Sequence, residues 1–260
     1  MRHAMQILTP RVLMFFLALG PALVLSQSAA PMPEAEVELL RTIDRAVVTG
    51  AQEDLAAARD TLQARVQSDG GSTRTSDRYL LAYVIWRLSQ HLPENEKKEK
   101  KRLLKQAEKE LKLVLDANPD DAEAYALRGT VIGDRIGGAL SGMLLGPKAS
   151  KSLERAYELA PENPRVALQR GVGFYFTPKT FGGGIEKAQQ ELTRAQELYV
   201  EEPAEQPWPN WGKVDVFAWL GLILVDSGMI DEAKAMYEEG LRLEPDHAWI
   251  RLELLPGLGD

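Results

Sequence analysis

From Glu34 onward, apolar residues recur every three to four positions, the spacing that puts them on one stripe of an α-helix. Short polar, glycine- or proline-bearing stretches interrupt the pattern and divide it into pairs of helical segments. The first pair is 34–48 and 53–67, joined at Thr49 and Gly50; a loop follows at 68–73. The second is 77–91, carrying Tyr79, Tyr83 and Trp86, and 101–117, closed by Pro119, with 93–99 as a polar insertion. The third begins at Ala122, and Ala149, Leu153, Ala156 and Pro161 mark its second helix. The fourth begins at Pro164 with Gly171 and Phe174, then Ala188, Leu192 and Ala195. The fifth runs from 214 to 247, and its helices flank a turn at 226–229. A short last helix is expected over 246–258, its apolar face Trp249, Leu252 and Leu255. The predicted fold is all-α: five hairpins stacked in an array, because one hairpin cannot bury its own apolar face, with the last helix as cap.

The fifth pair carries the sharpest pattern: Phe217, Leu220, Gly221 and Leu224 in its first helix, then Ala233, Tyr237, Gly240 and Pro245. Small residues at Gly221 and Ala233 let the helices approach, and Phe217, Leu224 and Tyr237 fill the gaps between them. This order of large, Leu, Gly, large, small, aromatic, small, Pro resembles a 34-residue tetratricopeptide (TPR) repeat. The resemblance implies a right-handed superhelix whose first helices (A) line a concave groove. It also implies a protein-binding module rather than an enzyme.

Spacing locates the departures from that unit. From Gly221 to Ala233 is twelve residues, whereas Gly129 to Ala149 is twenty, Gly171 to Ala188 seventeen and Tyr83 to Ala107 twenty-four. The second, third and fourth hairpins therefore carry extra residues between helix A and helix B, all on one edge of the array, where insertions often mark a binding face. The third insertion region, GDRIGGALSGMLLGP over 133–147, repeats glycine at a spacing of four. Such a ridge suits close packing against a neighbouring hairpin; exposed, it would be an apolar lip. The fourth, FTPKTFGGGIEKA over 176–188, is similar to a turn found in exported TPR proteins, including those associated with TRAP solute transporters. Phe181 is expected to tuck under that turn.

Projected onto the implied groove, the A-helices place Leu80, Val84, Arg87, Thr130, Asp134, Leu168, Tyr175 and Phe176 on its surface, with Phe181 at the adjoining edge. Trp208 and Trp211, in the link before the fifth hairpin, are an alternative partner site or a staple onto that hairpin.

Composition narrows the chemistry. The 260 residues are 45% hydrophobic and 27% charged, enough for a folded core. A net charge of −7 argues against nucleic acid. The absence of cysteine removes disulfides, thiolate chemistry and a lipidated N-terminus of the lipoprotein type. His91 and His247 lie in no ligand-spaced cluster, and no serine sits in a G-x-S-x-G setting, so neither catalysis, metal nor cofactor is expected.

The N-terminus has Arg2 and Arg11, an apolar run over 12–25 and small residues after it, the layout of a cleaved secretory signal. The expected organisation is a signal peptide at 1–28, removed, and a TPR-like domain at 29–260. The expected protein is periplasmic or secreted, a scaffold for an envelope protein or peptide, not held in the membrane once the signal is gone. The alternative is a transport accessory carrying a small apolar molecule in the groove.

Overall fold

The structure is a computed structural model and describes residues 34–68, 74–203 and 210–259; the expected signal peptide lies outside them. Ten α-helices run in order among the described residues: α1 Glu34–Thr49, α2 Gln52–Ser68, α3 Thr75–Gln90, α4 Lys97–Ala117, α5 Ala122–Gly133, α6 Ala139–Leu159, α7 Pro164–Phe176, α8 Ile185–Glu201, α9 Lys213–Asp226 and α10 Ile230–Leu243. Each odd-numbered helix packs on the even-numbered helix that follows, and each even one on the next odd one. The result is an all-α TPR-like solenoid of five hairpins.

Local chemistry sets the boundaries. Asp121 caps α5 by accepting the Ala124 N–H at 2.9 Å, and Asn163 caps α7 by accepting from Arg165 and Val166, with Pro164 in the first turn. Helix α9 ends with Gly228 at φ +77°, Gly228 N–H on the Val225 carbonyl and Met229 N–H on that of Leu224. That pair of bonds satisfies two orphan carbonyls and turns the chain into α10. Arg165, buried at the start of α7, joins α5 to the end of α8 through Glu123 (2.9 Å) and Glu202.

The small-residue register holds within the hairpins. A Cβ on Gly129 would lie 2.7 Å from Leu153 Cγ, one on Gly171 2.7 Å from Leu192 Cγ, and one on Gly221 would overlap Tyr237 Cε1, against the edge of the ring. The ridge at 133–146 is different. A Cβ on Gly133, Gly137, Gly138 or Gly146 would meet nothing within 4 Å, so the expectation of close packing there is corrected. Most of the insertion is a helical extension at the start of α6, running through Pro147; Gly146 on it faces open space and Gly142 meets only Ile136 of the same insertion.

The C-terminus also departs from expectation. Instead of one helix over 246–258, a π-turn at Ile250–Leu254 leads into a 3-10 turn at Pro256–Leu258. Ile250 is buried against Val214, Ala218 and Tyr237, so the segment still covers the end of the fifth hairpin, while Leu252 stays exposed.

Candidate functional site

The solenoid does not leave an open trough beside α3. Tyr79 to Trp86 are all buried, and α3 joins Val216, Leu220 and Ile223 of α9 in one apolar core. Leu80, Val84 and Leu168 belong to that core, which corrects their placement on an accessible groove. Superhelical curvature brings the second hairpin against the fifth, and apolar A-helix faces that meet exclude water between them.

Polar groups complete this closure. Arg87 on α3 donates to Asp215 Oδ2 on α9 at 2.5 Å, and its guanidinium lies 4.9 Å from the Trp86 ring. His247 Nε2 approaches the other oxygen of Asp215 at 3.3 Å. Burial alone would push the Asp215 carboxyl up, but Arg87 and His247 outweigh it and hold it well below the usual carboxylate range. Trp211 is buried and stacks on Tyr83 at 5.1 Å between centroids, with Trp86 at 6.1 Å. It is a staple, onto the second hairpin rather than the fifth. Trp208 lies outside the described residues. Asn210 reaches Asp44 of α1 at 3.4 Å, so the first hairpin joins the seam.

Thr130 and Asp134 are likewise committed inside. Thr130 donates to Gln169, while Asp134 accepts from Trp86 Nε1 and Gln90 Nε2, each at 2.8 Å. Burial raises the Asp134 carboxyl despite these two donors. The seam encloses about 100 Å³ lined by Asp44, Arg87, Lys213, Asp215, Glu244 and His247. That is room for water; sites for drug-sized molecules run to roughly 300–1,000 Å³. A larger hollow of about 580 Å³ has a mixed lining, with Pro161, Pro164 and Leu198 beside Glu162, Arg165, Glu201 and Glu202. Among the described residues, no group of three or more His, Asp or Glu side chains is placed to hold a metal ion.

Tyr175 and Phe176 lie elsewhere, at the C-terminal end of α7. Their rings, with Trp219 of α9, make three mutual edge contacts with centroids 5.0, 5.7 and 5.6 Å apart, and Trp219 continues to Trp249 at 5.2 Å. Tyr175 O–H donates to Asp226 at 2.7 Å; burial first, then this bond, pushes its phenol up to about 12. Phe176 closes the cluster on its outer side and is 66% exposed. Sequence reasoning missed Trp219 and Asp215. The available signal for Trp219 was its size between the core positions Ala218 and Leu220; Asp215 had none, being one acid in a helix's first turn.

Phe181 is 79% exposed rather than tucked. The Lys179 stem fills the space beneath the turn, since a Cβ on Gly184 would lie 2.7 Å from Lys179 Cγ. Backbone bonds from Gly183 to Pro178 and from Gly184 to Phe174 close the return without the ring.

The architecture defines a class: an α-helical repeat protein, its hairpins stacked about a closed inner seam. Residues 214–247, the fifth hairpin, match the tetratricopeptide repeat family model. Two solved structures are similar in fold. The HusA haemophore from Porphyromonas gingivalis is 22% identical, with TM-score 0.62 over 75% of this chain and 94% of its own. TTC0263, a thermophilic TPR protein of Thermus thermophilus, is 17% identical, with TM-score 0.59 over 85% and 98%. No curated protein matches at the level of sequence.

Proposed function

We propose that this chain is an exported TPR scaffold that recruits a protein partner of the cell envelope, with no catalysis of its own. One observation carries the partner site: Phe176 is two-thirds exposed, yet two aromatic neighbours, Tyr175 and Trp219, and the Tyr175–Asp226 bond fix the cluster it belongs to. An exposed aromatic already held in place loses little entropy on binding, which is the property of an interface anchor. The inner seam is filled by Trp211, Arg87 and the α3 core, so a partner meets the outer aromatic cluster instead. Export rests on the sequence features of residues 1–28 alone.

Carriage of a small apolar molecule has less support. HusA is a haemophore, but at 22% identity its likeness speaks for fold; of the two hollows described above, the smaller has room only for water and the larger carries three glutamates and an arginine in its wall. The test is capture from an envelope fraction by wild type and by Phe176→Ala. The proposal expects a defined protein retained by wild type and lost by the variant, with identical thermal melts by circular dichroism. Equal capture by both places the site elsewhere.

A further inference from the structure

The large apolar residues that reach solvent are not spread evenly. Of twelve among the described residues, eight lie in or beside the turns between helices A and B of the third to fifth hairpins. The densest group is on the projecting start of α6, where Leu140, Met143 and Leu144 are 74%, 76% and 64% exposed. Spacings of three and four put them on one helical face, and Lys148 and Lys151 continue that face one and two turns on.

Charge is uneven too. The three lengthened turns (91–102, 134–151 and 177–187) hold ten Lys and Arg against five acids, in a chain of net charge −7. Lys97, Lys98, Lys101, Lys148, Lys151, Lys179 and Lys187 are exposed. The fifth turn, with Asp226, Asp231 and Glu232, is acidic, so the basic character is confined to the lengthened turns.

We infer that this edge is a docking surface for an anionic lipid bilayer, with Leu140, Met143 and Leu144 entering the headgroup–acyl boundary and the lysines meeting lipid phosphates. The shape favours lipid over a protein partner. These side chains stand proud of the surface, and of the glycines around them Gly137, Gly138 and Gly146 meet nothing while Gly142 meets only Ile136 of the same insertion, so they form a protrusion rather than a socket. A fluid interface accepts a protruding Leu/Met face of any contour, whereas a protein interface needs a matching hollow. Lysines beside such a face add attraction to anionic headgroups. The contact is peripheral: no helix of the described residues is long and apolar enough to cross a membrane. Phe176 lies on the same edge, but the contact is assigned to the face at 140–151, and the vesicle readout at 143 and the capture readout at 176 are separate, so either can fail without the other.

The chain has no cysteine, so a single one can report from a chosen position. Full-length Met143→Cys, carrying an environment-sensitive fluorophore, is mixed with vesicles of phosphatidylcholine containing phosphatidylglycerol; Leu113→Cys on α4 is the reference position. The expected result is a blue shift at 143 and none at 113. Lys148→Gln with Lys151→Gln should weaken the vesicle titration by about five-fold per lysine, roughly thirty-fold together. Raised salt should weaken it further. No shift at 143, an equal shift with pure phosphatidylcholine, or a shift that follows protein concentration without vesicles would overturn the inference; the last would mean self-association. Because the readout is local to 143, the apolar run at 12–25 does not confound it.

Discussion

Arg87 and Asp215 are 128 residues apart in sequence and 2.5 Å apart in space, and their ion pair joins the second hairpin to the fifth. Both lie inside the seam, where removing one partner strands the other's charge. Arg87→Ala should therefore cost about 3–5 kcal/mol in chemical denaturation. A cost below about 1 kcal/mol, the size of an exposed pair, would mean the seam is open in solution.

The same pair sets an acid dependence. The Asp215 carboxyl is depressed in the fold, so its stabilisation is present above its unfolded value, about 3.9, and is lost as pH falls through the folded one. His91 acts in the same direction: burial, then Arg87, lower its imidazole, so protonation favours the unfolded chain as pH drops through about 6.5. Asp134 and Glu244, both raised by burial, oppose this in part. Denaturation curves below pH 4 should fall more steeply for wild type than for Asp215→Asn. Parallel curves would remove Asp215 from the account.

Gly221→Leu should destabilise the array by about 1–3 kcal/mol or more, because the new side chain must displace the Tyr237 ring. An unchanged thermal midpoint would mean that the fifth hairpin is packed in a different register.

Trp211→Ala leaves a void between Tyr83 and Trp86 and should cost about 3–5 kcal/mol. An exposed partner-binding tryptophan would instead be replaced at little cost to the thermal melt, which makes the melt decisive between the two roles.

The contacts legible in the sequence are those within one hairpin. Gly129 with Leu153 and Gly171 with Leu192 follow from small and large residues at fixed offsets along two adjacent helices. The seam is illegible for a physical reason. Whether Arg87 meets water or Asp215 depends on rotations accumulated over three successive hairpins, and no local pattern encodes that sum. The edge was half legible. Spacing located the insertions, but the glycine ridge looked like a packing surface because sequence shows small residues without showing what stands opposite them. Phe176 was found by its place before Pro178, while its partner Trp219 was hidden among core residues.

The proposed export predicts a mature N-terminus between Gln27 and Ala29. Terminal sequencing of protein recovered from the cell envelope checks it. A chain that keeps residues 1–26 in the membrane pellet contradicts it.

The most direct measurement of the scaffold reading places a photoreactive phenylalanine analogue at position 176 in living cells, with position 113 on α4 as the comparison. Both positions are exposed, but only Phe176 belongs to the aromatic cluster. The account predicts one discrete crosslinked protein from position 176 and none from 113. No crosslink at 176, or the same products from both positions, would contradict it.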